Sequence, residues 1–305
     1  MNKKAKSVFN GDKVFRDVLF LTAGFIVILL IIIFILLIHH SRPSIGAFGL
    51  GFLFRQRWNP GSNKFGALPF IAGTLITSAG AVLITIPFSI STSLFIKEYA
   101  SSWLGNLISH MVDLLAAIPS VIIGMWGIFV LVPVMRSIEM ILYSHFAFIP
   151  LFNAPPIGVG LLSAIFILVI MTLPYSISIT RDSMVQVPVS LKEGAYALGA
   201  TRWRMVRSVI IPYCKNGIIG GTMLALGRAM GETMAVTMVI GNSTRLPRTL
   251  FDPANTIASL LANQFNEASG TLYVSSLIQL ALILFIISLL INITGRIIVH
   301  KMKMT

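Results

Sequence analysis

What this sequence has least of is charge. Only 11% of its 305 residues are Asp, Glu, Lys or Arg, against roughly 25% in a soluble globular domain. Negative charge is the scarcer sign, with 10 acidic residues against 23 basic ones and a formal net charge of +13. Cysteine is nearly absent. The single Cys214 excludes an intrachain disulfide framework and reads as a small buried side chain. No G-x-x-x-x-G-K-[ST] run occurs, so the chain has no P-loop with which to hydrolyse ATP. No H-E-x-x-H pair, Ser/His set or paired aspartates lie in its apolar stretches, which argues against an intramembrane enzyme. His110 has no ligand partner at helical spacing, so neither metal nor cofactor is expected.

What is present is apolar length. Hydrophobic residues make up 56% of the chain, and 18–38, 114–135 and 268–295 are uncharged. A membrane-spanning helix needs about 20 mostly apolar residues. The pattern predicts an all-α, polytopic membrane protein with six spans, at about 17–39, 68–96, 107–135, 157–180, 216–240 and 272–296. Pro87, Pro119 and Pro174 fall within these spans, where neighbouring helices re-satisfy freed backbone groups. The first span is longer than a signal-peptide core and is followed by His39, His40 and Arg42 rather than small residues, so it reads as retained. The apolar segment 136–156, which also carries Arg136, Glu139 and His145, reads as a short helix in the outer interface.

The net positive charge does not indicate nucleic acid, because the basic residues lie in short segments between apolar runs. They serve instead as topology signals. With the N-terminus inside, fifteen fall in inner segments. Seven fall outside: Arg42, Arg55, Arg57, Lys64, Arg136, Arg245 and Arg248. This bias places both termini in the cytoplasm. The organisation is a cytoplasmic segment at 1–16, one transmembrane domain over 17–300 with a cytoplasmic loop at 181–215, and a tail at 301–305.

That loop carries helical signals. Ser190 and Glu193 have capping-box spacing, Gly199 suits the end of a first short helix, and Thr201 suits the start of a second. Pro212 stands where the chain re-enters the bilayer. The expectation is two short helices joined by a tight turn, either docking into a groove on a soluble partner or simply solvated.

The fifth span is chemically the oddest. It holds Arg228 and Glu232, four apart, and several glycines, including the pairs Gly217/Gly221 and Gly227/Gly231 that let helices approach closely. Counted from Asn216, Arg228 lies about 18 Å into a hydrocarbon core of about 30 Å. The pair reads either as self-neutralising or as part of a path for an anion, since a guanidinium offers forked donors that match oxyanions. The order Arg-then-Glu is the weaker one for a helix, which favours the path. Glu232 is expected to orient Arg228 or to meet an arginine of another subunit.

Several runs carry a family resemblance. Glu193-Gly194-Ala195, then Gly199, Val209 and Ile211-Pro212, resemble the EAA loop of binding-protein-dependent ABC importers, with Gly194 where that pattern prefers alanine. Trp58-Asn59-Pro60 and Phe65-Gly66-Ala67-Leu68-Pro69 look like the approach to the second span of phosphate-system permeases. Leu114-Leu115-Ala116-Ala117-Ile118-Pro119 looks like their third span, and Gly227-Arg228-Ala229-Met230-Gly231-Glu232-Thr233 their fifth. The continuation Met234-Ala235-Val236 resembles the PstC type rather than its PstA-type sister, and the match covers about 58–245. The resemblance implies a type I (MetI-like) permease in a bacterial inner membrane, without catalytic residues of its own. It further implies a PstA-like second permease, PstB-like ATPase subunits seated on the loop at Glu193, Gly194, Ala195, Gly199 and Pro212, and a PstS-like phosphate-binding protein. Membrane lipid is a partner and nucleic acid is not. From the residues alone the path is one for an anion; only the resemblance specifies phosphate over sulfate, molybdate or phosphonate. An ion-coupled secondary transporter is the alternative, although it would leave the 181–215 loop without a purpose.

Overall fold

The computed structural model describes residues 5–303, so the extreme ends of the 1–16 and 301–305 segments lie outside the described residues. Among the described residues ten helices carry the fold, beside the short helical turns Gly51–Phe54, Pro60–Ser62 and Pro150–Phe152. The ten are α1 (Ala5–Phe48), α2 (Leu68–Tyr99), α3 (Ser102–Ala117), α4 (Ser120–Phe146), α5 (Leu161–Val185), α6 (Val189–Ala197), α7 (Arg202–Gly231), α8 (Met234–Val239), α9 (Ile257–Gln264) and α10 (Thr271–Lys303). Six of them, α1, α2, α4, α5, α7 and α10, are long and apolar enough to cross a membrane. Among the described residues there is no strand.

Two expected spans are redrawn. The third, expected at 107–135, is broken where Ile118 and Pro119 take extended backbone, with ψ of 127° and 138°. Proline has no amide hydrogen and disfavours the α conformation in the residue before it. Helix α3 therefore ends there, and the membrane-length helix is α4. The segment from 136 onward is not a separate interfacial helix: its first part continues α4 to Phe146, and buried Glu139 accepts a hydrogen bond from Gly158 N at 2.7 Å. The fifth span, expected at 216–240, instead runs from Arg202 to Gly231 and stops where Glu232 is extended at ψ 124°. Side chains take up backbone groups freed by this break. Thr233 Oγ1 donates to Gly231 O at 3.1 Å, and Glu232 Oε1 accepts from Ala235 N at 3.5 Å. Such local bonds compete with continued helix.

Two of the prolines inside the remaining helices are accommodated by local widening, whereas Pro43, Pro87 and Pro174 sit in regular α-helix. Pro133 and Pro212 each follow a five-residue π turn, closed by Val132 N to Gly127 O and by Ile211 N to Val206 O. A wider turn relieves the clash between the proline ring and the preceding turn. Helix α7 is thus continuous through Pro212.

Helix α5 is the axis of the bundle and the most buried of the six long helices. It runs parallel to α2, joined by Thr85 Oγ1 to Thr172 Oγ1 at 3.0 Å and Ser93 Oγ to Ile177 O at 3.1 Å. It runs antiparallel to α7. A Cβ on Gly217 would lie 1.7 Å from Ser183 Oγ, and one on Gly221 would lie 3.5 Å from Ile179. This glycine pair is what lets the two helices meet. Cys214 is buried in the same contact, 3.3 Å from Ser183 O. Helix α1 packs antiparallel on α10 through Ser44, whose amide donates to Ser275 Oγ at 2.9 Å, and through Phe34 against Phe285.

The irregular segment after α8 is held by amides that a helix start leaves free. Leu161 N donates to Asp252 O at 3.2 Å and Leu162 N to Leu250 O at 2.9 Å. From the other side, Thr74 Oγ1 of α2 accepts from Ile257 N at 2.9 Å. There a Cβ on Gly73 would lie 2.1 Å from the backbone oxygen of Asn255. Gly73→Ala should therefore force α2 off this loop at a cost of about 1–3 kcal/mol. Gly46→Ala on α1, where nothing lies within 4 Å, should leave stability unchanged or slightly raised. Thermal unfolding of the detergent-solubilised protein checks both, and equal midpoints for the two variants would refute the contact.

Candidate functional site

Arg228 lies in the last turn of α7, not in mid-helix as the 216–240 span implied. Its guanidinium carbon lies 4.3 Å from the ring centroid of Tyr175 on α5. Tyr175 is fourteen residues into α5, about 21 Å along its axis, so the cation still sits at a depth where a bilayer is hydrocarbon. Stacking on an aromatic face supports a guanidinium without satisfying its donors. Arg228 Nε is buried with no hydrogen-bond partner. Among the described residues no ion pair joins Arg228 to Glu232, because the helix break turns Glu232 away. The orienting role expected of Glu232 is corrected accordingly: its carboxylate faces Ala235 N.

Arg228 is only half-buried as a whole, but a buried donor left without a partner, as its Nε is, is costly and calls for something to complete it. The surroundings leave room for that. A Cβ on Gly220, Gly227 or Gly231 would meet nothing within 4 Å, and Leu224 on the same face is exposed. Gly217/Gly221 is a packing pair, whereas Gly227/Gly231 flanks Arg228 on an uncovered face.

Sequence reasoning missed the neighbours of Arg228. Tyr175 Oη donates to Ala116 O at 3.2 Å, at the end of α3. One turn along α5, Ser178 Oγ donates to Asp113 Oδ1 at 3.2 Å, and Arg181 lies 3.8 Å from Asp113 Oδ2. Residues 175, 178 and 181 recur every three residues on one face of α5, a legible spacing, but their partners on α3 came from a segment expected to be a plain span. Asp113, half exposed at the end of α3, thus ties α3 to α5 through polar contacts.

At one end of the bundle α6 and the start of α7 form the expected helix–turn–helix. Gly199 joins them at φ +79°, and Thr201 Oγ1 accepts from Arg204 N at 3.3 Å. The capping box is corrected: α6 starts after Pro188 with no side-chain cap, and Glu193 is exposed. Pro188 displaces it because a proline with fixed φ already sets the chain for a helix start. Ala195 packs on the cluster of Met205 and Val206, while a Cβ on Gly194 would meet open space. A cavity of about 610 Å³ lies between α6 and α7, with Leu198 at its rim 91% exposed. Two cationic contacts fix this hairpin to the end of α2: Lys192 pairs with Glu98, and Arg202 stacks 4.6 Å over Tyr99.

Six membrane-length helices, a helical hairpin at one end and a cation at membrane depth with no ion-pair partner among the described residues fit one class: a multi-pass membrane permease. The comparisons agree. Residues 86–304 match the model of the family described as binding-protein-dependent transport system inner membrane component. The chain belongs to this family. It is 46% identical over 290 residues to the phosphate transport system permease protein PstC of Mesorhizobium japonicum, covering 93% of this chain and 89% of that protein. It is 44% identical to the PstC of Haemophilus influenzae, covering 100% and 99%. Its fold is shared with a chain in the structure of a bacterial alginate ABC transporter in complex with its periplasmic protein, at TM-score 0.63 and 17% identity, covering 95% of this chain and 94% of that one. It is shared also with the MetNI methionine ABC transporter, at TM-score 0.56 and 20% identity, covering 78% and 94%.

The contacts that fix the hairpin generate an expectation. Glu98→Gln leaves Lys192 without its counter-charge, so the hairpin should open more often. Limited trypsin digestion should then cleave after Lys192 and Arg202 several-fold faster than in the unaltered protein. Unchanged cleavage would mean that the ion pair does not hold α6 in place.

Proposed function

We propose that this chain is one of two membrane subunits forming the translocation path of an ABC importer for inorganic phosphate. The observation that carries the substrate is the similarity over nearly the whole chain to proteins named phosphate transport system permease PstC. Arg228 supports it from the chemistry: an always-charged, unpaired guanidinium at membrane depth is suited to a desolvated oxyanion. Glu232, at the helix break beside it, lines the same path and faces the neighbouring subunit.

On this reading the uncovered face of α7 meets a PstA-like second permease. PstB-like subunits hydrolyse ATP in the cytoplasm, and a PstS-like protein delivers phosphate from the other side. The docking surface for the ATPase is the α6–α7 hairpin, with Glu193, Gly194, Ala195 and Leu198 exposed or half-buried on it and Gly199 setting its turn. The fifteen-to-seven basic bias supports a cytoplasmic side for that hairpin and both termini in a multi-pass inner-membrane protein.

The geometry suggests how force is carried. Helix α7 runs unbroken from Arg202 in the hairpin, past Pro212, to Arg228, twenty-six residues or about 39 Å. Movement of the hairpin on ATP binding becomes a shift of the guanidinium against Tyr175, exchanging one side of the path for the other. Tyr175, fixed by its bond to Ala116 O, is the stationary surface.

Arg228→Gln should abolish uptake of labelled phosphate while membrane insertion and complex assembly persist, since removing a buried charge eases insertion. Arg228→Lys should retain only part of the activity, because an ammonium lacks the planar fork. Uptake at the unaltered rate from equal amounts of Arg228→Gln complex would refute the assignment, and competition by unlabelled sulfate as strong as by phosphate would refute the substrate. Independently, Gly199→Leu should uncouple ATP hydrolysis from transport, because a β-carbon strains the positive φ of the turn. Normal coupling in that variant would show that the hairpin does not dock.

A further inference from the structure

The positive-inside bias makes cations in the opposite loops costly to orientation, yet four of the seven outer ones converge. Arg57, Arg245 and Arg248 line one cavity of about 890 Å³. Arg57, Lys64 and Arg245 line an adjoining one of about 550 Å³. They come from two loops nearly 190 residues apart in sequence. All four are exposed, and none is in an ion pair among the described residues. The carboxylate that lines the larger cavity is already engaged: Asp252 Oδ2 accepts from Arg248 N at 2.7 Å and Thr249 N at 2.9 Å.

Neither loop is a loose tether. Trp58, next to Arg57, is buried against Phe65 and Phe70, and its Nε1 donates to Gln264 Oε1 at 2.8 Å. Asn59 and Lys64 close a short turn by Asn59 N to Lys64 O at 2.8 Å and Lys64 N to Asn59 O at 3.1 Å. Across the cavity, Ser243 N donates to Ala254 O at 3.1 Å, and Asp252 is tied to the head of α5. Fixed backbones that hold like charges around one hollow keep a standing positive potential there.

We propose that these loops form a binding site for a free tetrahedral oxyanion, inorganic phosphate among them, separate from Arg228. The site stands at the head of α5, where Leu161 N meets Asp252 O, and Arg228 lies fourteen residues further along, beside Tyr175. The two cationic stations are therefore about 21 Å apart along the bundle axis. The hairpin is at the far end, since Glu98, thirty residues after the start of α2, is what holds it. The proposal rests on the anion-path reading above and adds a capture step to it. Phosphate released at the outer mouth is held by Arg57, Arg245 and Arg248 in water, where charge attracts it without a large desolvation cost. It then passes inward to a single desolvated guanidinium. A hydrated site with several cations binds quickly and releases readily, as the first station of a path requires.

The test uses the complex purified with its native subunits and placed in lipid nanodiscs, in an Arg228→Gln background, with binding of labelled inorganic phosphate measured at low salt. Phosphate should still bind in that background. Adding Arg57→Gln or Arg245→Gln, one from each loop, should weaken binding about tenfold, the size expected for losing a charge-assisted bond. Arg57→Lys and Arg245→Lys should retain most of it, which separates charge from misfolding. Raising the salt should reduce the difference between these variants and their parent. No binding in the Arg228→Gln background, or binding indifferent to the loop substitutions, overturns the outer site. So does a loss of co-purifying anionic phospholipid with phosphate binding unchanged, which would make the occupant a lipid headgroup. None of these outcomes bears on uptake by Arg228→Gln, so failure of the outer site and failure of the phosphate-path reading are told apart.

Discussion

A chain that crosses hydrocarbon has to satisfy its own backbone hydrogen bonds, because no water is there to do so. Several irregularities in this protein are compensated under that constraint. At the end of α7, Thr233 and Glu232 side chains bond the backbone around the break. At the head of α5, free amides are met by carbonyls of the loop after α8. At Pro133 and Pro212 a wider turn relieves the ring without ending the helix. At Ile118–Pro119 the proline does end the helix, and there the C-terminal end of α3 is bonded from Tyr175.

The interruptions coincide with the chemistry. The break after Gly231 places Arg228 at a helix end and separates it from Glu232, so the charge is not cancelled within its own helix. The break at Pro119 puts Ala116 and Asp113 beside α5, where they hold Tyr175 and Arg181. A straight third and fifth span would have buried a neutral ion pair in a uniform bundle. The broken ones leave a supported cation with free donors.

Charge distribution is the second organising feature. With so few acidic residues, most cations cannot be neutralised within the chain. A few are fixed at the hairpin end, by Glu98 and by the ring of Tyr99. Others surround the hollow at the opposite end, and one lies between. A chain that leaves cations unpaired at successive depths is electrostatically suited to an anion that has to be passed along rather than kept.

The sequence by itself determined the class. Scarce charge and six long apolar runs left only a helical membrane protein, since periodicity and length are local properties. It also determined the hairpin: Gly199 and Thr201 act through backbone geometry within a few residues, and both took the expected places. The capping role of Glu193 failed because Pro188, a neighbour just as local, already set the helix start. Only the tertiary structure decided where spans three and five break, because an apolar run reads alike whether it is straight or interrupted. It alone decided that Arg228 stacks on Tyr175 rather than pairing with Glu232. It alone brought Arg57 and Arg245 to one cavity, since contacts between residues so far apart in sequence follow from how α2, α5 and the loops pack, and no local pattern encodes that.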